Sequence, residues 1–590
     1  MDNKARAKLP KERKGKPMKK LIALLLALVM MFSLALTGCG NAAADPTEAP
    51  KAETPAETPK AETPAETPKE ETPAEPVKLT AWIVQSTKVA SYGDENEMTK
   101  WLEENANVDL EVTAIPAADF GTKINMALTV GAAADLPDII FGVTKDMPTA
   151  SMMEWAATGN IIPLTEYYND AELAKNINEA IERTGVDYTA HLYMPDGEIY
   201  SIGTYNQSYG NEYPSKLWIN KVWLDKLEME IPTTLEEFHA VLKAVSETDL
   251  NGNGKQDEIP LVGSALGTSY DNHEHFIMNA FFYAGDKDDV YKVVNDGVVS
   301  SAVTTEEFKK SLVELRKLYQ EGLILNESIT MNADQCKTLM NTEENTVFAF
   351  SFTSPSVFTD TARRDEYICI APLVGPEGVQ YADYHQSVGT HAMVITANCK
   401  NPEAAFKVGD LLSSEVMGIS QRFGQEGVDW DYLDKAKNAD EWESAFPAFP
   451  LYIICYDDSN FWAAKEPASR FWGQSGPYVR QYAIANGMGV KKGAVSAYTK
   501  AVNEGATLLQ EGGFAPKEHI PTLVYTDDES IVISELQPTL KTFIGEYVAA
   551  VMMGNKNLEG DWDAFQKELE KIGLSDYLEA VQSAYDRMYK

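Results

Sequence analysis

Cysteine is scarce in this chain, with five residues in 590. Apart from Cys39, they are Cys336, Cys369, Cys399 and Cys455, an even but widely spaced set that makes no disulfide scaffold. Cys369 falls in the apolar run Tyr367-Ile368-Cys369-Ile370 and reads as a small buried hydrophobe, so the four are expected free. Long apolar runs are missing too. The one run, Leu21 to Leu36, has about 16 residues against the roughly 20 that a spanning helix needs, and no second stretch approaches that length. Basic charge is in deficit, with 51 Lys and Arg against 89 Asp and Glu and a net charge of −38. Such a chain is repelled by nucleic acid and by anionic lipid. Catalytic signatures are absent as well: there is no Gly-x-Ser-x-Gly, no His-Glu-x-x-His and no Gly-rich phosphate loop. Carboxylate pairs are too frequent among 89 acids to argue for a glycosidase. His273-x-His275 has no third ligand nearby in sequence and reads as a solvated pair.

What is present begins at the N-terminus. Lys19 and Lys20 precede the apolar run, and Thr37-Gly38-Cys39 follows it, which is the layout of a secretory signal peptide over residues 1–38, with Met18 the better start. Cysteine after Thr-Gly resembles a bacterial lipobox, which makes Cys39 the lipidated first residue of the mature chain. Anchorage is then by lipid alone, and the acyl chains together give a durable hold. Loss of the basic leader shifts the charge from −38 by its net +7 to −45.

Residues 39–77 form a spacer. KAETPAETP at 51–59 repeats at 60–68, and KEETPAEP follows at 69–76. Proline at every fourth or fifth position blocks helix and ladder, and no large apolar side chain offers a core. Such an acidic stretch stays extended, reaching on the order of 120 Å at about 3.1 Å per residue. A stalk of that length fits the outer face of the membrane beneath a Gram-positive type wall.

The body, residues 78–590, is too long for one core and suits two or more lobes. Strand-like Leu79–Val84, a helical pattern over Glu97–Asn105, alternating Val108–Val112, a helix over Lys123–Val130 and the buried run Pro137–Phe141 follow in order. This alternation predicts an α/β fold with a largely parallel sheet, whose strand carboxyl ends are where ligands bind. Further helices are predicted at Leu235–Val245, Thr305–Tyr319, Pro402–Leu412, Glu535–Met553 and Asp561–Ile572.

Several strings of the body resemble a known family: Leu136-Pro137-Asp138-Ile139-Ile140, Gly159-Asn160-Ile161-Ile162-Pro163-Leu164, Pro195-Asp196-Gly197-Glu198-Ile199-Tyr200, Leu217-Trp218-Ile219-Asn220 and Pro232-Thr233-Thr234-Leu235-Glu236-Glu237-Phe238. In this order, behind a lipobox, they resemble the family 1 extracellular solute-binding proteins of ABC importers, notably the branch with alginate-binding proteins. The resemblance implies a two-lobed periplasmic-binding-protein-like fold of type II, with interleaved lobes and a ligand cleft between them. It places a first hinge crossing near 202–209 and a return near 386–393. It further implies a monomer that binds a carbohydrate, an oligosaccharide for preference, and delivers it to ABC permease subunits without catalysis. The alternatives are a polysaccharide-acting surface enzyme and the binding subunit of a membrane sensor.

One loop carries metal chemistry. In Asp249-Leu250-Asn251-Gly252-Asn253-Gly254-Lys255-Gln256-Asp257-Glu258, oxygen-bearing side chains stand at positions one, three, five and nine with glycine at six. That matches the first nine positions of an EF-hand, in which position seven gives a backbone carbonyl. Position twelve is Pro260, so Glu258 is expected to supply the missing oxygens. Alginate-binding relatives bind calcium with this pattern, which nominates Asp249, Asn251, Asn253, the Lys255 carbonyl, Asp257 and Glu258 as ligands of a structural Ca²⁺.

Sugars are gripped by aromatic faces and planar polar groups. Candidates at the expected cleft are Trp82 and Gln85 after the first strand, Tyr205 and Asn206 at the first crossing, and Phe352 in the turn after a buried run. Tyr384 before the return crossing, Trp430, Trp462 and Trp472 complete the set. Trp218, Trp223 and Trp562 belong to packing patterns.

Overall fold

The computed structural model describes residues 75–130, 135–264, 272–285, 290–456 and 467–590. Cys39, the leader, the repeats and Trp462 lie outside the described residues.

The alternating sequence of β1 (Val77–Gln85) buries Leu79, Ala81 and Ile83 on one face. Asn96 caps the helix Glu97–Ala106 by accepting from the Met98 N–H at 3.0 Å, and left-handed Asn107 ends it. β2 (Val108–Pro116) then lies parallel to β1, in register from Val77 opposite Val108 to Gln85 opposite Pro116. After the helix Ala117–Val130, β3 (Ile139–Phe141) pairs parallel on the other side of β1. β4 (Ile202–Asn206) is the last strand of this sheet before the chain leaves it.

β5 (Lys216–Asn220) and β6 (Ile259–Val262) belong to a second sheet, β7 (Lys292–Asn295) and β8 (Val298–Ser301) form a separate hairpin, and β9 (Val347–Phe352) and β10 (Tyr367–Cys369) complete the second sheet in the order β10-β5-β9-β6. β11 (Thr390–Ile395) is back in the first sheet. Then come β12 (Trp430–Tyr432), β13 (Trp442–Ser444), β14 (Ile453–Cys455), β15 (Val479–Arg480) and β16 (Gly489–Lys491). β12 pairs with β14 and β13 with β16, while β15 completes a first sheet ordered β15-β4-β11-β3-β1-β2.

Each sheet has its own core. Leu79, Ile139, Ile202, Met393 and Phe406 bury together in the first lobe, and Phe238, Leu242, Phe308, Leu312 and Phe348 in the second. Full burial of each such side chain is worth roughly 1.5–3 kcal/mol. The last three helices, Asp527–Met552, Leu558–Ile572 and Leu574–Tyr589, add Ile544, Phe565, Leu569 and Val581 to the second core. None of the four cysteines among the described residues forms a disulfide.

Three details differ from the sequence reading. The first sheet is mixed, because β11 runs antiparallel to both β3 and β4. It enters from the second lobe at the edge where β4 leaves, so it must run the opposite way. β4 belongs wholly to the first sheet, which moves the outward passage to 207–215; Ala382 still bonds the Phe514 carbonyl at 2.9 Å, which confines the return to 383–389. A third passage, unanticipated, lies between β16 and the helix Ala497–Glu511, whose Gly505 approaches Cys369 of β10.

Candidate functional site

In the first sheet, β1, β2, β3, β4 and β15 all run one way. Their carboxyl ends lie on the edge where the chain departs for the second lobe. The second sheet presents to the same side the start of β5 at Lys216 and the ends of β9 at Phe352 and β6 at Val262. These facing edges define the candidate cleft, at the position open α/β sheets offer a ligand.

Glu212 binds the passages together. It lies on the outward passage and is 5% exposed. Its carboxylate accepts from the Tyr482 hydroxyl, beyond β15, and from Ser387 Oγ at 3.4 Å on the return; its carbonyl accepts the His385 N–H at 2.7 Å. Burial raises the Glu212 pKa above the usual carboxylate range, against the two hydroxyl bonds. The Tyr482 hydroxyl is raised too, by burial and by the Glu212 charge. Around this point Tyr209 packs on Tyr482 at 4.7 Å and Phe449 at 5.4 Å between ring centroids, and Tyr213 meets Tyr384 at 5.3 Å.

Two more charged groups bury nearby. Lys216 donates to the Tyr213 carbonyl, and burial pushes its pKa down to about 8. Asp383 is 3% exposed, accepts no hydrogen bond from the described residues, and faces His385 Nε2 at 3.3 Å.

The nominated contacts divide by position. Gln85 sits at the end of β1, with Nε2 donating to the Ser86 and Val89 carbonyls at 2.8 Å each. Asn206 ends β4, and its Oδ1 is buried without a hydrogen-bond partner among the described residues. Phe352 ends β9, half-buried, and Tyr384 is half-buried on the return passage. These four share the cleft region. Tyr205 lies inside the first lobe, stacked on Tyr188 at 5.3 Å and 3% exposed. Trp82 stands three residues short of the strand end, under Lys123 at 4.4 Å, because the pleat directs it to the sheet face. Trp430 is fully buried in the small β12–β14 core and donates to the Gly424 carbonyl at 2.9 Å. Trp472, fully buried, donates to Thr99 Oγ1 at 3.0 Å between Tyr92 and Phe141. Trp82, Trp430 and Trp472 are thus packing residues in this structure. Glu212, Tyr482, Lys216 and Asp383 escaped sequence reasoning; the Tyr-rich stretch 205–213 was the only signal near them.

His273 and His275 are also corrected: they are buried, not solvated. His273 packs on Gly263, where a Cβ would stand 2.2 Å from Nδ1, and burial pushes its pKa down to about 4.

The Asp249–Glu258 loop enters β6 at its amino end, opposite the cleft. Gly252 and Gly254, at φ +78° and +79°, give the left-handed turns. Asp249 accepts the Gly252 and Gly254 N–H groups at 2.7 and 2.9 Å. The Asn251 and Asn253 amides donate to Asp257 at 3.1 Å and hold its carboxyl below the usual range. Glu258 Oε1 accepts from Leu250 and Asn251, whereas Oε2 is buried with no partner among the described residues. Among the described residues no three His, Cys, Asp or Glu side chains converge as a metal cluster. A cation here would therefore draw on amide and carbonyl oxygens, which suits a hard ion, and the orphaned Oε2 fits that donor set.

The sequence pattern of the bacterial extracellular solute-binding proteins matches residues 86–418. The fructooligosaccharide ABC transporter substrate-binding protein FusA of Streptococcus pneumoniae serotype 4 is 26% identical over 537 residues, 86% of this chain and 90% of FusA. An HMO-binding, ABC-transporter-associated solute-binding protein from Bifidobacterium longum infantis superposes with a TM-score of 0.70 at 20% identity, covering 88% of this chain and 100% of that one. A FusA EF-hand mutant in complex with fructo-nystose gives 0.63 at 23% identity, covering 86% and 99%. With a match over more than half its length and this two-lobed fold, the chain belongs to the bacterial extracellular solute-binding protein family.

Proposed function

We propose that the protein is the cell-surface, lipid-anchored receptor of an ABC importer, which captures an oligosaccharide between its lobes and delivers it to a membrane permease. The observation that carries this reading is the convergence of the interlobe passages on Glu212 beside facing strand edges. Passages tied at one buried point give a pivot, so ligand that touches both edges shifts the population towards a closed form. The FusA likeness, over 90% of FusA, supports a sugar as the ligand.

Cys39 and the repeats serve as tether and stalk, keeping the receptor at high effective concentration beside its permease. Calcium is held by Asp249, Asn251, Asn253, the Lys255 carbonyl, Asp257 and Glu258, where it draws these oxygens together and clamps the loop into β6. It stands at the strand end away from the cleft and takes no part in ligand chemistry. The protein acts as a monomer and returns its ligand intact.

A thermal-shift screen against neutral and acidic glycans, followed by chromatography of the recovered ligand, tests this reading. Stabilisation by at least one glycan with no cleavage is expected. Cleavage products would favour an enzyme, and no stabilisation by any glycan would remove the carbohydrate reading.

A further inference from the structure

Arg480 is the last residue of β15, on the cleft edge of the first sheet. It is 8% exposed, its Nε is buried with no acceptor, and no carboxylate lies within ion-pair reach among the described residues. The groups that bear on it electrostatically are Arg422, Tyr478 and Cys455. Arg422 is a second cation. The Tyr478 hydroxyl and the Cys455 thiol are both raised by burial, the thiol to about 12, so neither carries a negative charge at neutral pH. Burial, then the Arg422 charge, lowers Arg480 itself to about 10, which leaves it a cation. A buried guanidinium with no counter-charge is expensive to keep, and natural structures seldom hold one without a use. Its place is unusual in a chain of net charge −38.

The neighbouring strand supplies a complementary orphan. Arg480 is in parallel register with Asn206 of β4, so both side chains stand on one face of the sheet. Asn206 Oδ1 is a buried acceptor with no donor. One donor fork and one acceptor, side by side at the cleft, lack an anion and a hydroxyl. A sugar unit with an anionic substituent carries both, and guanidinium is the side chain whose geometry matches a planar carboxylate in two-point fashion.

Resting on the carbohydrate-binding reading, we propose that the cleft takes an acidic oligosaccharide, with Arg480 binding its carboxylate or sulfate and Asn206 a neighbouring hydroxyl. Neutral glycans would satisfy Asn206 yet bring no anion to Arg480.

The experiment is isothermal titration of the purified full chain with oligogalacturonides, a sulfated oligosaccharide and fructo-oligosaccharides, each at low and high salt. An acidic glycan is expected to bind at least tenfold tighter than the neutral one and to weaken as salt rises. The carboxylated and sulfated arms tell which anion fits. Arg480→Gln is expected to lose at least tenfold in affinity, with Arg480→Lys between it and the native protein. Should Arg480→Gln fail to fold by circular dichroism, the acidic-to-neutral ratio and the salt dependence of the native protein decide. A neutral glycan bound as tightly as the acidic ones, with no salt dependence, overturns this inference alone. Absence of binding to every glycan overturns the carbohydrate reading and this inference with it.

Discussion

The Tyr482 hydroxyl donates to the Glu212 carboxylate although 270 residues separate them and they stand on different excursions from the first sheet. That bond, with the Ser387 and His385 contacts, ties the outward passage, the return passage and the segment after β15 together at one buried carboxylate.

Because burial raises the Glu212 pKa, its ionisation opposes folding. A carboxyl whose folded pKa exceeds its unfolded value of 4.5 loses stability as pH rises from that value through the folded one. Glu212→Gln keeps an acceptor for Tyr482 without the charge. The variant should therefore gain in stability relative to the native protein as pH goes from 4 to 7. Thermal melts across that range check it, and a difference that is flat or falls with pH contradicts it.

Chelation should lower Tm, and calcium should restore it. At calcium about 100-fold above Kd the ion contributes about 2.7 kcal/mol. Asp249→Ala, which also releases the Gly252 and Gly254 N–H groups, should abolish the response to chelator. Melts in EGTA that match melts in calcium would remove the ion.

Arg587 donates to both Glu529 oxygens at 2.9 and 2.6 Å and ties the last helix to the start of Asp527–Met552. Against the upward pull of burial, these bonds and the Thr526 N–H hold Glu529 down at about 2. Its contribution is full above an unfolded pKa of 4.5 and is lost as pH falls towards about 2. Arg587→Ala should cost about 1.5–3 kcal/mol at pH 7 and much less at pH 2, as read by urea melts. An equal cost at both pH values would contradict the pairing.

Trp472 and Phe352 should behave oppositely. Trp472 is fully buried, so Trp472→Ala should cost about 3–5 kcal/mol of stability and leave ligand selectivity unchanged. Phe352 is half-buried at a cleft edge, so Phe352→Ala should weaken binding with a smaller loss of stability. Paired melts and titrations check this; a selectivity change in a folded Trp472 variant would return that residue to the cleft.

The elements were legible where period and caps agree. Thr234 and Glu237, visible as Pro232-Thr233-Thr234-Leu235-Glu236-Glu237, form the capping box of Leu235–Ser246. Pro402 sets the start of Pro402–Leu412. The helix expected from Glu535 starts eight residues earlier at Asp527, because Pro538 sits inside it and masks its period, while Thr526 and Glu529 cap its true start. Strand direction was not legible: nothing within Thr390–Ile395 says that it returns from another lobe. Nor was aromatic burial, since Trp430 and Trp472 reach their cores through partners distant in sequence, such as Thr99 for Trp472. Glu212 was invisible because one acid among 89 acquires its role only when three distant segments meet.

Small-angle scattering of the purified protein with and without a glycan shown by titration to bind tests capture by lobe closure most directly. The account predicts a smaller radius of gyration in the bound state, and a reduced change in Glu212→Ala. A saturating glycan that leaves the scattering curve unchanged would contradict it.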